Sequence, residues 1–198
     1  MKRGFDIAFA LLLFPILLPF MIVISLLIKL DSKGPILFKN RRVGLGGKRF
    51  NCLKFRTMVD HAEDLLGEIL KDDQAKKEWK NNIKLKNDPR ITRVGHILRK
   101  FSLDEFPQIF NVLRGDMSFV GPRPILEEEV RKYGYDFDCY QSIRPGITGL
   151  WQISGRNDSD YSNRLKLLKV YYVERSFLFD LKIILKTLPT VISRRGAY

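Results

Sequence analysis

The sequence predicts an α+β fold that is mostly helical, with one small β-hairpin or sheet and an N-terminal segment embedded in a membrane. Residues 7–28 form an apolar stretch without a single charge. Two segments within residues 36–56 alternate apolar and polar side chains, which is the period of a strand. Most of the remaining chain has the apolar spacing of amphipathic helices. At 198 residues and 45% hydrophobic content, the chain can form one domain with its own core.

The apolar segment is long enough to cross a bilayer as one helix, for which about 20 residues are required. Asp6 and the lack of a small-x-small cleavage pattern disfavour a signal peptide, and the apolar length disfavours a buried core helix. Pro19 divides the segment into arms of about 18 Å and 15 Å, each reaching about halfway through a hydrocarbon core of ~30 Å. Both flanks are basic, beginning with Lys2 and Arg3 before the segment. Basic flanks prefer the cytoplasm; a re-entrant helix keeps both flanks there, whereas a span carries one of them across. Since the length suits a span, a kinked span and a re-entrant helix both stay open.

Residues 36–42 and 48–56 are predicted to be two strands joined by the turn Gly44-Leu45-Gly46-Gly47. Glycines of this kind indicate a hairpin turn more strongly than a phosphate loop. In the second strand, Lys54 and Arg56 alternate with apolar residues and therefore share one face. That face is either solvated or a wall that binds substrate phosphates.

The rest of the chain is predicted to be mainly helical. The last two predicted helices are rich in Leu, Ile, Tyr and Phe, and they also carry lysines. Such helices either pack in a core or lie in a membrane interface, and the apolar N-terminal segment favours the interface. The predicted helices cover residues 60–86, 90–101, 102–113, 164–176 and 179–195.

Two adjacent acids, Asp104 and Glu105, stand out in a chain this basic, and Arg99 precedes them by five residues. Ordinary capping can explain both acids. Ser102 and Glu105 match a capping box, while Asp104 as N-cap would leave Pro107 in the tolerated first turn. The other interpretation is chemistry on a negatively charged substrate.

Rigid, cationic turns follow the acid pair. Prolines on both sides of Arg123 fix its backbone in Gly121-Pro122-Arg123-Pro124. A guanidinium held in this way suits bidentate contact with a phosphate or a planar base edge. Arg144, in a Pro-Gly turn, and the segment 154–157 form a second cluster of this type.

The formal net charge of +13 favours an anionic partner, which includes phosphate-bearing substrates, anionic lipids and nucleic acid. The two cysteines, Cys52 and Cys139, form no CxxC pair, and neither histidine lies near a second ligand in the sequence. Zinc and redox motifs are therefore excluded, and a disulfide framework is not expected.

Motifs along almost the whole chain resemble those of the bacterial sugar transferases of the monotopic phosphoglycosyl transferase type, which include polyprenyl-phosphate galactose and glucose phosphotransferases. No single motif would suffice, but together they are specific. The motifs are KRGFD (2–6) before a proline-interrupted apolar segment, KFRTM (54–58), LRKFSLDEFPQIFNVLRGDMSFVGPRP (98–124), RPGITGLWQISGRN (144–157) and FDLKI (179–183).

The family transfers a phosphosugar from a nucleotide diphosphosugar to a polyprenol phosphate and uses Mg²⁺. The resemblance implies that Asp104 is the nucleophile and lies at the magnesium site, with Glu105 as its acidic partner. It matches Arg99 and Arg123 to the family's basic residues. It also implies a re-entrant membrane helix kinked at Pro19, although Leu18 stands where the family has a serine.

We therefore expect a UDP-sugar donor, an undecaprenyl or other polyprenol phosphate acceptor, and a covalent aspartyl-phosphosugar intermediate. Residues 1–33 would form the re-entrant helix, and residues 34–198 a catalytic domain with interfacial C-terminal helices on the cytoplasmic face of the bacterial inner membrane. Arg144, Lys54 and Arg56 are further candidates for binding the substrate's phosphates. Larger family members carry an N-terminal multispan region, so the chain resembles a minimal form or a truncation.

The product would enter O-antigen, capsule or exopolysaccharide synthesis. The GAY ending (196–198) is similar to relatives that transfer galactose or glucose phosphate. The sequence does not decide between a monomer and a homodimer. The alternative function is a non-enzymatic, membrane-attached basic module that binds anionic lipid or nucleic acid. Its aromatic residues form no stacking platform in the sequence, so we expect no nucleic-acid partner.

Overall fold

The computed structural model of the chain describes residues 2–82, 85, 87–154 and 161–192. Within these residues the fold is mostly helical with two small sheets, which confirms the predicted fold class. The helices are α1 (Lys2–Asp31), α2 (Ala62–Ile69), α3 (Asp73–Asn82), α4 (Arg93–Lys100), α5 (Gln108–Arg114), α6 (Val130–Tyr133), α7 (Phe137–Gln141), α8 (Leu150–Ile153), α9 (Tyr161–Glu174) and α10 (Phe177–Ile192). The strands are β1 (Leu37–Val43), β2 (Arg49–Phe55), β3 (Ser118–Val120) and β4 (Gly146–Thr148).

The predicted hairpin is confirmed to within one residue at its strand ends. β1 and β2 pair antiparallel, with Phe38 opposite Lys54 and Lys39 opposite Leu53. Gly46 and Gly47 in the turn have φ of 64° and 71°, a left-handed conformation that glycine adopts at little cost. The second sheet pairs β3 and β4 in parallel. Each of its strands has three residues, too few for a period of two to be read from the sequence.

The apolar segment forms α1, which stays helical through Pro15 and Pro19. The two arms predicted on either side of Pro19 are therefore one helix. Among the described residues, α1 is the helix that is long and apolar enough to cross a membrane. The buried side of α1 contributes Ala10, Met21, Ile24 and Ile28 to the hydrophobic core.

The opposite side of α1 exposes ten large apolar side chains, and we call it the α1 apolar face. A surface of this kind in a folded protein indicates contact with another apolar phase. α10 also exposes large apolar side chains, so its interfacial placement stays a prediction. The α1 apolar face consists of Leu11, Leu12, Ile16, Leu18, Phe20, Ile22, Val23, Leu26, Leu27 and Leu30.

Both ends of α1 are bonded to the globular body. Arg3 donates to the backbone oxygens of Val112 and Leu113 at the end of α5. The buried Asp6 carboxylate accepts from Ser118 Oγ at 2.9 Å and from the Phe119 amide at 3.1 Å. At the other end, Asp31 accepts the Val94 amide of α4 at 3.0 Å. α1 therefore packs in the same core as the body. The predicted boundary between residues 1–33 and 34–198 stays a prediction.

The prediction of one continuous helix over residues 60–86 is wrong, because this segment forms two helices, α2 and α3. The side chain of Asp72 accepts the amides of Gln74 at 2.7 Å and Ala75 at 3.0 Å, and so starts a new helix. Likewise, α4 begins later than predicted because Thr92 caps it through the Gly95 amide. Residues 155–157 and 193–195 of the predicted turn and terminal helix lie outside the described residues, as do 196–198.

Candidate active site

The acid pair lies in a 3₁₀ turn, Leu103–Glu105, just before α5. Ser102 has a left-handed φ of 56° and makes no side-chain capping bond, and α5 begins after Pro107 without a side-chain cap. Both capping interpretations of the acids are therefore wrong. Helix capping does not account for Asp104 and Glu105, and their partner is a lysine instead.

Lys54 of β2 bridges the two acids. Its Nζ lies 2.7 Å from Glu105 Oε1 and 3.3 Å from Asp104 Oδ2. Burial raises the pKa of Asp104 above its usual range, and the adjacent Lys54 ammonium offsets part of that rise. Burial lowers the pKa of Lys54, but the Glu105 and Asp104 carboxylates outweigh it and raise that pKa overall. The site therefore holds a charged lysine against an acid pair.

Asn111 of α5 sets the position of Lys54. This fully buried side chain accepts the Leu53 amide at 2.9 Å and donates to the Asn51 carbonyl at 2.8 Å. The two bonds fasten α5 to β2, one residue before Lys54. Because the acids immediately precede α5, they are held opposite the lysine.

Replacing Asn111 with leucine is expected to lower the free energy of unfolding by about 2–5 kcal/mol, because it leaves the buried Leu53 amide without its partner and also removes the bond to the Asn51 carbonyl. Thermal unfolding in detergent measures the loss as a lower Tm. Asn51→Leu is the matched control, since the Asn51 side chain is exposed, and should change stability by less than about 0.5 kcal/mol. An equal loss in the two variants would contradict the role given to Asn111.

Arg99 of α4 also lies beside the acid pair. Its Nε donates to Thr57 Oγ1 at 2.9 Å, which fixes the guanidinium. Burial lowers the pKa of Arg99, and the nearby Asp104 carboxylate counters that effect. Gly95 permits this packing, since a Cβ there would lie 2.0 Å from the Thr57 carbonyl oxygen. The structure thus brings Arg99, Lys54, Asp104 and Glu105 together.

Two sequence candidates lie elsewhere. Arg56 is nearly buried, and its guanidinium donates to the backbone oxygens of Ser32 and Lys33 after α1. Arg144 donates from Nε to the Gly115 carbonyl at 3.1 Å, at the far end of α5. α5, whose seven residues span roughly 10 Å at ~1.5 Å rise per residue, separates that end from the acid pair. Both side chains have structural partners, and their roles in binding phosphate stay predictions.

Arg123 lines a small cleft beside the GPRP turn. Its Cζ lies 5.7 Å from the centre of the Trp151 ring. The same ring is approached at 5.1 Å by Arg164, which donates to Glu129 at 2.9 Å. Burial raises the pKa of the Cys52 thiol on β2 to about 11, with smaller contributions from charged groups of both the acid pair and the cleft, among them Lys54, Glu105 and Arg123.

Arg164 is a site candidate that the sequence interpretation missed. Its side chain is 9% exposed, and its Nη2 is buried with no hydrogen-bond partner among the residues that the structure describes. An unpaired buried N–H of a charged group is costly, so this Nη2 is a candidate donor to a ligand or a water. An arginine near the start of an amphipathic helix reads as a surface residue in the sequence, and only the aromatic rings around it reveal its burial. The rings belong to Tyr133, Trp151 and Tyr161.

The magnesium ion implied by the resemblance fits the residues present. The Lys54 ammonium reaches both carboxylates at once, so a single cation can be held by Asp104 and Glu105. Mg²⁺ is usually bound by one or two carboxylates together with substrate phosphates. No group of three or more His, Cys, Asp and Glu side chains suited to a metal occurs in the described part of the chain. The substrate's phosphates would therefore complete the coordination.

Comparison with known proteins finds relatives that match the whole chain. The profile of the bacterial sugar transferase family matches residues 1–194. The chain is 47% identical over 199 residues to the UDP-galactose-lipid carrier transferase of Erwinia amylovora and to the undecaprenyl-phosphate galactose phosphotransferase of Salmonella typhimurium. It is 46% identical over 198 residues to the exopolysaccharide production protein ExoY of Sinorhizobium fredii. The chain belongs to the bacterial sugar transferase family.

These relatives differ in length. Each alignment covers 100% of this chain, but only 42% of the Erwinia and Salmonella proteins, against 88% of ExoY. The chain thus spans about two fifths of the first of these relatives.

Proposed function

We propose that the chain is a phosphoglycosyl transferase that moves a sugar 1-phosphate from a UDP-sugar to undecaprenyl phosphate or another polyprenol phosphate. The observation that carries this proposal is the Asp104–Glu105 pair, which caps no helix, is bridged by Lys54 and interacts electrostatically with Arg99. The names of the relatives support a galactosyl phosphate donor and an undecaprenyl phosphate acceptor. The product would enter exopolysaccharide, capsule or O-antigen synthesis.

The proposed reaction has two displacements at one phosphorus atom. A carboxylate oxygen of Asp104 attacks the sugar-linked phosphorus, and the P–O bond to the uridine monophosphate breaks. UMP leaves with the electron pair of that bond, and Asp104 carries the phosphosugar. A phosphate oxygen of the lipid then attacks the same phosphorus, which releases the Asp104 carboxylate and forms a polyprenyl diphosphate sugar. Two half-reactions of this kind give ping-pong kinetics.

The charged side chains around Asp104 reduce the repulsion between the carboxylate and the diphosphate. Arg99 is the best placed, because Thr57 fixes it beside Asp104. Glu105 orients Lys54 and, with Asp104, would hold Mg²⁺. When bound, Mg²⁺ supplies the positive charge that stabilises the developing charge on the phosphates. A lipid phosphate needs little deprotonation near neutral pH, so Glu105 is given a positioning role and not that of a general base.

The cleft between the GPRP turn and α9 is the proposed place for the uridine part of the donor. Arg123 and the unpaired Nη2 of Arg164 present donors there, next to the ring of Trp151. A pyrimidine offers carbonyl oxygens to such donors and a flat face to the aromatic ring. The resemblance implies a substrate-binding role for Arg123, and we propose the same role for Arg164.

The position of α1 against the globular body supports a proposed placement at the membrane. Both its ends are bonded to the globular body, through Asp6 and Asp31 among others. A helix that spanned the bilayer would carry one end to the opposite side, away from the body. We therefore propose a monotopic protein that rests with α1 on the cytoplasmic face of the bacterial inner membrane, where both substrates meet.

The test of the function is UMP release by the detergent-solubilised full chain. The protein is incubated with Mg²⁺ and a panel of UDP-sugars, with and without undecaprenyl phosphate. We expect turnover that depends on the lipid and is largest with one donor, with UDP-galactose and UDP-glucose as the first to try. Folded protein that releases no UMP with any donor would contradict the proposal. Salt-sensitive binding of RNA or anionic lipid without turnover would favour the basic module instead.

A further inference from the structure

In the candidate active site, a cationic side chain of the protein itself, Lys54, already contacts both carboxylates of the acid pair. Lys54 Nζ lies within hydrogen-bond distance of one oxygen of Glu105 and in an ion pair with one oxygen of Asp104. A divalent ion that both carboxylates bind would occupy nearly the same place. Two cations cannot share that position, since like charges a few ångströms apart repel strongly in a partly buried site.

We propose that Lys54 is a built-in counter-ion that occupies the cation position of the acid pair, so that Mg²⁺ binds tightly only together with the donor's diphosphate. This inference rests on the proposed function and deepens it. On arrival of the donor and metal, the Lys54 ammonium leaves the carboxylates and pairs with the diphosphate. The lysine would therefore act first on the acids and then on the phosphates.

Charge balance supports coupled binding. The formal charges of Asp104, Glu105, Lys54 and Arg99 cancel. Mg²⁺ alone would leave two excess positive charges in the site, and a diphosphate diester alone two excess negative charges. The two together restore neutrality. Because Asp104 has a side-chain exposure of only 12% and Lys54 of 27%, solvent screens this imbalance weakly.

The fold allows the lysine to move while its backbone stays fixed. Asn111 fastens the adjacent Leu53 to α5, which holds β2 in place. The side chain of lysine has four rotatable carbon bonds and a compact charge that can change partners. Movement of the ammonium by a few ångströms therefore requires no rearrangement of the hairpin.

The test measures binding of Mn²⁺, as a spectroscopic substitute for Mg²⁺, to the purified full chain without donor. Free Mn²⁺ is followed by electron paramagnetic resonance. We expect weak binding by the wild type and at least about tenfold tighter binding by Lys54→Met, which removes the competing charge but keeps an unbranched side chain. Lys54→Arg should bind metal as weakly as the wild type. Unchanged or weaker binding by Lys54→Met would overturn the proposal.

Lys39→Met is the matched control. Lys39 lies on the same hairpin but is exposed and on the opposite face, since it pairs with Leu53. The variant loses the same charge and should leave Mn²⁺ affinity unchanged; an equal gain would show a general charge effect and overturn the proposal. Adding Asp104→Asn to Lys54→Met should abolish the gained affinity. If the gain persists, the metal binds elsewhere and the inference is wrong.

Metal titration is separate from turnover, so the two proposals can fail separately. If no donor supports UMP release but Lys54→Met still gains metal affinity, the counter-ion role stands and the transferase assignment fails. If UMP is released but the variant gains nothing, the reverse holds. Lys54→Gln, which keeps a polar end group, serves the same comparison should the methionine variant fail to fold.

Discussion

Replacing Asp104 with asparagine is expected to reduce UMP release by at least about 10³-fold and to abolish the covalent phosphosugar adduct. The amide has nearly the shape of the carboxylate but lacks the nucleophilic charge, and loss of a nucleophile typically costs several orders of magnitude in rate. The fold should survive, because Lys54 keeps its shorter ion pair with Glu105. Intact-protein mass spectrometry after incubation with the donor and Mg²⁺, without the lipid acceptor, detects the adduct.

Glu105→Gln is the matched control for this experiment. It removes the same charge from the neighbouring acid, which we give a positioning role. It should slow turnover but still allow the adduct to form. A phosphosugar adduct in Asp104→Asn, or its loss only in Glu105→Gln, would move the nucleophile away from Asp104.

Placing two lysines on the α1 apolar face is expected to release the protein from membranes. Leu12 and Val23 are 65% and 55% exposed, and their spacing of eleven residues puts them on one side of the helix. A charge in the hydrocarbon region costs about 2.5–3.5 kcal/mol, so Leu12→Lys with Val23→Lys should weaken vesicle binding at least about 100-fold. Vesicle flotation measures the bound fraction.

The design keeps the fold intact, unlike removal of α1, which would take Ala10, Met21, Ile24 and Ile28 out of the core. Leu45→Lys is the control, because Leu45 is exposed in the hairpin turn and lies outside α1. If the double variant binds vesicles as tightly as the wild type, α1 is not the main anchor. The exposed apolar side chains of α10, such as Leu185 and Leu188, would then take that role.

The acid pair shows how far sequence patterns reach. Adjacent acids before a helix allow both a capping and a chemical interpretation, because local sequence is the same in the two cases. The left-handed backbone at Ser102 and the start of α5 after Pro107 are incompatible with the capping interpretation. The contact with Lys54 joins residues 50 positions apart, and no local pattern specifies it.

The cationic candidates make the same point. Their alternation predicts the same role for Lys54 and Arg56, yet Lys54 contacts the acids and Arg56 donates to backbone carbonyls after α1. Alternation determines the face of a strand but not what packs against it. Arg164 shows the reverse case, in which a residue that reads as exposed lies buried among aromatic rings.

The sequence by itself determined the hairpin, most of the helices, the membrane-seeking segment and the family, because periodicity and motifs are properties of neighbouring residues. Only the tertiary structure decided that α1 shares the core of the body, that Asn111 fastens β2 to α5, and that Lys54 lies between Asp104 and Glu105. These are contacts between distant parts of the chain. They depend on how the elements pack, since burial and pairing are satisfied across the whole fold and not within any one segment.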